Sequence, residues 1–207
     1  MSASQCRKGR LDRDSNIALN GENGHRLFRL AADTGVPVSI HLEPEDESVI
    51  ALEKILNAYP GANVIVAHFG QIRHPEVQRN FTPQAVRRLL STYHNLYYDL
   101  ATGHPNRQYN CSGPSNDSVL SGDTVLWKYL GDRQAEKITA EWQDILTSYS
   151  EGFVFATDYG GGRSSLSDFL HRKVSKINLI ISELPEPAQH DIAYRNAWQL
   201  ITGHPWK

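Results

Sequence analysis

Little in this 207-residue sequence marks it for a membrane, a nucleic acid or an oxidising compartment. It holds only two cysteines, Cys6 and Cys111, far apart and in no CxxC or zinc-knuckle spacing. A disulfide framework is therefore excluded, and two free thiols suit a reducing compartment. No apolar run approaches the ~18 residues a membrane span needs. Residues 1–30 are polar and charged and lack the apolar stretch of a secretory leader, so the formal glycosylation sequons at Asn80, Asn110 and Asn116 carry no weight. Neither sign of charge dominates: 21 basic and 23 acidic residues give a formal net charge of −2, well mixed along the chain. Without a basic stripe, nucleic acid and anionic lipid are excluded as partners. The expectation is a cytoplasmic protein that acts on a small molecule.

What is present is a composition of 40% hydrophobic and 21% charged residues, enough to bury a core in one domain. Residues 1–24 show no periodicity and read as a polar N-terminal arm, with the folded domain over 25–207. From there a short apolar run, a polar break and an amphipathic stretch recur four times. The runs are Val36–Ile40, Ala62–Ala67, Leu96–Ala101 and Phe153–Thr157. Between them, Val49, Ile50, Leu52, Ile55 and Leu56 fall at helical spacing, and Pro60-Gly61 stops that helix. Thr82 as N-cap and Pro83 at the first helical position start another, which carries Val86, Leu89 and Leu90 on one face. A third shows Trp142, Ile145 and Leu146. Two more close the chain, one through Ile177 and Ile180, the other through Ile192, Ala197 and Leu200. This alternation means βαβ units, a parallel sheet and helices covering it. It is compatible with an open doubly wound sheet and with part or all of a closed barrel.

The polar residues carry the argument further. His41 directly follows VPVSI, His68 follows NVIVA and Asp158 follows FVFAT. Each sits at the C-terminal end of its run, where barrels and open α/β sheets build their active sites. Imidazole and carboxylate are ligands that zinc and related divalent ions favour, and a carboxylate beside a metal-bound water can take its proton. The pattern reads as a metal-assisted hydrolytic site.

Val38-Ser39-Ile40-His41, Val66-Ala67-His68-Phe69-Gly70 and Phe155-Ala156-Thr157-Asp158-Tyr159 resemble the fifth, sixth and eighth strands of the amidohydrolase superfamily. The resemblance is to its amidohydrolase-related branch of metal-dependent hydrolases and decarboxylases. Tyr97-Tyr98-Asp99-Leu100 resembles the seventh strand, and Arg195-Asn196-Ala197 the closing helix. The resemblance runs from about residue 25 to 202. It implies a partial (β/α)8 TIM-type barrel of about four parallel strands, and hydrolysis of an amide, lactone or ester, with decarboxylation a related activity. It also implies a divalent metal, zinc or manganese, held by His41 and Asp158. His68 and Asp158 would act in catalysis, with Asp158 the general base. The family's first strand supplies a His-x-His pair, and none of the nine histidines here lies two positions from another. A whole barrel takes ~250 residues. Hence the expectation of a fragment of a longer enzyme, an inactive half-barrel, or a half-barrel that forms a homo-oligomer to cover its open edges.

Weaker signals complete the reading. Gly160-Gly161-Gly162-Arg163 fits no nucleotide-binding loop, but its backbone N–H groups and Arg163 could bind an anionic substrate group. An anion-binding α/β module is the alternative built on that loop. Glu43 reads as part of an acidic helix-starting loop. Asp99 faces either the barrel interior or the helices. The segment Thr102–Asp123 is long enough for a substrate lid. The remaining histidines, His25 among them, read as surface residues.

Overall fold

In a computed structural model, the chain is described over residues 18–42, 46–67, 82–101, 108–109, 113–114, 140–157, 167, 171, 174, 177–178 and 180–207. Helix α1 (Glu22–Thr34) opens it, starting three residues inside the stretch read from sequence as a polar arm. Gly35 ends α1 in the left-handed region, φ 73°, with its N–H on Ala31 O at 2.8 Å, the geometry a glycine adopts without strain.

Strand β1 (Val38–Ile40) follows, then α2 (Asp46–Ala58) and β2 (Val64–Val66). Helix α3 (Pro83–Thr92) leads into β3 (Leu96–Asp99). Thr82 caps α3 as its sequence predicts, Oγ1 accepting from Ala85 N at 3.2 Å. Within the stretch read as a lid, β4 (Gln108–Tyr109) and β5 (Gly113–Pro114) form a short antiparallel pair. Helix α4 (Ala140–Ser148) and a 3₁₀ turn (Ser150–Gly152) deliver β6 (Phe153–Val154). The closing helix runs as α5 (Glu186–His190), a π-helical turn (Asp191–Arg195) and α6 (Asn196–Thr202).

The main sheet has the order β1-β2-β3-β6, all parallel. It is an α/β sheet of four strands that does not close on itself, the partial barrel expected from sequence. Its register aligns Val38 with Val64 and Leu96, and Ile40 with Val66, Tyr98 and Phe153. Partners in register point to the same face, and successive residues to opposite faces. The face bearing Val64, Val66, Leu96, Tyr98 and Phe153 is buried and packs on Leu52, Ile55, Leu56, Val86, Leu89, Trp142 and Ile145 of α2, α3 and α4 in one continuous core. The other face presents Ser39, Ile65 and Tyr97, exposed or half-buried. A barrel would turn that face inward.

Two buried amides fasten the sheet at its N-terminal end. Asn95 Nδ2 donates to the carbonyls of Leu56, Tyr59 and Ala62 at 3.1–3.3 Å, tying the end of α2 to the start of β3. Asn196 Nδ2 donates to Ser150 O at 2.7 Å and Phe153 O at 2.8 Å. Val154 O accepts from Leu100 N on the β3 side, so the backbone groups of Phe153 and Phe155 point the other way, along the outer edge of β6. Asn196 takes the carbonyl of Phe153, and Ile192 O accepts from Phe155 N at 2.9 Å. The π turn makes the second bond geometrically available, since its wider winding re-aims the carbonyls of that turn away from the helical ladder. The outer edge of β6 is thereby sealed by the closing helix.

Candidate functional site

The C-terminal ends of the parallel strands are where the chemistry of such a sheet is built, and β1 brings His41 there. It is the residue after Ile40 and an exposed one. Continuing the register by one position sets His41 level with Ala67 and Asp99. All three belong to the face that carries Ser39, Ile65 and Tyr97. Two strand spacings, ~10 Å, separate the backbones of His41 and Asp99, and the residue between them is alanine. An imidazole and a carboxylate thus share one row on the barrel-interior face.

Asp99 is 9% exposed, and its Oδ1 accepts from the backbone N–H of Ala101 at 3.0 Å. That bond holds the chain where it leaves β3 and fixes the carboxylate on the interior side. Sequence left the facing of Asp99 open, because a period of two assigns faces only once the register with a neighbouring strand is known. The structure assigns it to the side of His41. Lower in the same face, Tyr97 stays a neutral phenol: burial, then the charge of Glu151, raises its pKa.

His68, Asp158 and Arg163 lie outside the described residues, as do Glu43 and Gly160–Gly162. Of the four residues singled out as site candidates, the structure therefore locates His41. Among the described residues no three His, Cys, Asp or Glu side chains converge closely enough to hold a metal ion. His41 and Asp99 offer one nitrogen and one oxygen donor, types suited to zinc or manganese. A complete ligand set would have to draw on further residues.

A cleft of about 180 Å³ opens elsewhere, lined by Tyr93, His94, Tyr97, Tyr149, Glu151 and Gln199 among others. It lies at the N-terminal ends of β3 and β6, opposite the end that bears His41. Ligand pockets run to ~300 Å³ and more, and the N-terminal face of such sheets is the face of stability. Chemistry is better sought at His41. His25 departs from the surface role read from sequence: it is half-buried, with Nδ1 3.0 Å from Tyr59 Oη, and joins α1 to the residues after α2.

Comparison with known proteins agrees with this architecture. The amidohydrolase family model matches residues 4–201, and the chain belongs to that family. The match takes in most of the stretch read as an arm. Among solved structures, the chain resembles an uncharacterized TIM-barrel protein, Bb4693, from Bordetella bronchiseptica. The TM-score is 0.51 at 14% identity, over 89% of this chain and 52% of the other. The chain thus spans about half the length of that barrel. No curated protein gives a match.

Proposed function

We propose that the chain contributes to metal-dependent hydrolysis of a C–N or C–O bond in a small molecule: an amide, lactone or ester. Decarboxylation is the related alternative. The observation that carries this reading is the position of His41, at the C-terminal end of β1 and in one interior row with Asp99, in a chain of the amidohydrolase family.

In this reading His41 and Asp158 hold a zinc or manganese ion, which when bound supplies an acidified water and a polarising charge. His68 orients the substrate's carbonyl or the attacking water, and Asp158 takes a proton from that water. Arg163 pairs with an anionic group of the substrate. Asp99 braces the interior row through its bond to Ala101 N.

Metal analysis of the purified chain, together with turnover on a panel of lactones, amides and carboxylated aromatics, tests the proposal. The expected result is near-stoichiometric zinc or manganese and hydrolysis that falls by more than ~10²-fold in Asp158→Asn, the scale of a lost general base. His41→Ala should lose the metal. A chain that folds but neither retains metal nor turns over any substrate would overturn the reading in favour of an inactive half-barrel. The absence of a His-x-His pair is the observation that favours this second reading.

A further inference from the structure

The two edges of the sheet differ. Along β6 the outward carbonyl of Phe153 and N–H of Phe155 are taken by Asn196 and Ile192. Along β1 the inward bonds go to β2, Val38 N donating to Asn63 O at 2.9 Å, so Ser39 turns its N–H and C=O outward. Among the described residues nothing pairs with that backbone.

The helix beside β1 is open on the same side. Helix α1 buries Gly24, Phe28 and Ala31. One flank of it faces inward along the sheet, His25 reaching Tyr59 and Ala32 lying by Gly61. At 100° per residue, Leu27 and Leu30 fall on the opposite flank, which points past β1. They are 41% and 60% exposed, and Val36 just before β1 is 60% exposed. An open strand edge flanked by exposed leucines is a surface built for pairing.

We infer that the outer edge of β1 and the Leu27/Leu30 flank of α1 form the interface of a homodimer. A twofold axis perpendicular to the sheet near Ser39 sets the two β1 strands antiparallel. Ser39 of each copy then exchanges both of its outward hydrogen bonds with its mate, the pattern of a hydrogen-bonded antiparallel pair. The same axis leaves both helical layers on one side and lays α1 against its mate, so that Leu27 and Leu30 cover each other. One operator satisfies the polar edge and the apolar flank together, as an isologous contact requires. An axis lying in the sheet plane would put the helices on opposite sides and leave the leucines wet. This inference stands apart from the catalytic reading.

Light scattering and sedimentation equilibrium on the 207-residue chain, over a range of concentrations, test it. The chain should run as a dimer. Leu30→Asp should weaken association more than about tenfold, ~1.4 kcal/mol. Ser39→Pro should do the same, since it removes the outward N–H and leaves the bonds to β2 in place. Ile201→Asp, at an exposed position on α6, should leave the dimer intact. Circular dichroism separates loss of association from loss of fold, and Ser39→Pro decides the matter if Leu30→Asp does not fold. A monomer at every concentration overturns the inference and leaves the edge to a partner of another kind. A dimer unaffected by both variants overturns it as well.

Discussion

Asn95 and Asn196 each place one amide nitrogen among two or three backbone carbonyls in a buried setting. Removing such a donor leaves carbonyls desolvated without a partner. Asn95→Leu is expected to cost roughly 2–4 kcal/mol and Asn196→Ala roughly 2–3 kcal/mol, from ~1–3 kcal/mol per group left unsatisfied; urea unfolding of each variant measures both. The buried tyrosines govern the alkaline limb. Burial raises the pKa of Tyr98, with Arg88 opposing, and burial followed by Glu151 raises that of Tyr97. The folded state therefore holds these protons after the unfolded chain begins to release them near pH ~10. Their contribution is complete below that pH and is lost as pH rises through the folded-state values. Tyr98→Phe should show a shallower fall of the urea midpoint above pH ~10 than the parent chain. None of these roles was legible in the sequence. A side-chain amide has no periodicity, and its value depends on which carbonyls the fold sets beside it. His41 was legible, because a polar residue directly after an apolar run marks a strand end whatever surrounds it.

At the scale of elements, the four strands and the helices between them could be read in advance because burial imposes a period. The α3 start was readable to the residue, since Thr82-Pro83 states its own cap chemistry. Thr82→Ala should lower stability by about 1 kcal/mol, measured by thermal or urea unfolding. The π turn at Asp191–Arg195 had no such signature. Its sequence continues the helical pattern of Ile192, Ala197 and Leu200, and what re-aims Ile192 O is the strand it meets. Asp191 adds a second tie, accepting from Ser150 Oγ at 2.8 Å and Arg195 Nη1 at 3.3 Å. Tight packing also limits the 3₁₀ turn before β6: a Cβ on Gly152 would come 2.7 Å from Leu90 Cδ2. Gly152→Ala should therefore cost about 1–3 kcal/mol, the usual range for overpacking. If the closing helix orders β6 through these ties, Asn196→Ala should speed exchange of the Phe155 amide relative to that of Leu100. Hydrogen exchange resolved by NMR reads this directly.

For the molecule as a whole, family and fold class followed from three short segments, whereas the site did not. Specific placement of ligands needs register, and register is a property of pairs of strands. Asp99 shows the difference: its residue type was visible, but its face followed only from Tyr98 lying level with Val66 and Phe153. A four-stranded parallel sheet with helices on one side leaves its other face half-covered, which is why Ser39 is exposed and Ile65 half-buried at the centre of their strands.

The sealed edge of β6 bears on how the protein behaves in concentrated solution. In the language of polymer chemistry, a sheet with two free ends is a bifunctional monomer and grows without limit, whereas one with a single free end is a chain stopper. Asn196 and the Ile192 carbonyl remove one end, so addition through β1 halts at two copies. Deleting residues 185–207 restores the second functionality. That truncated chain should form scattering aggregates or filaments under conditions where the full chain stays clear, and turbidity with electron microscopy would show it.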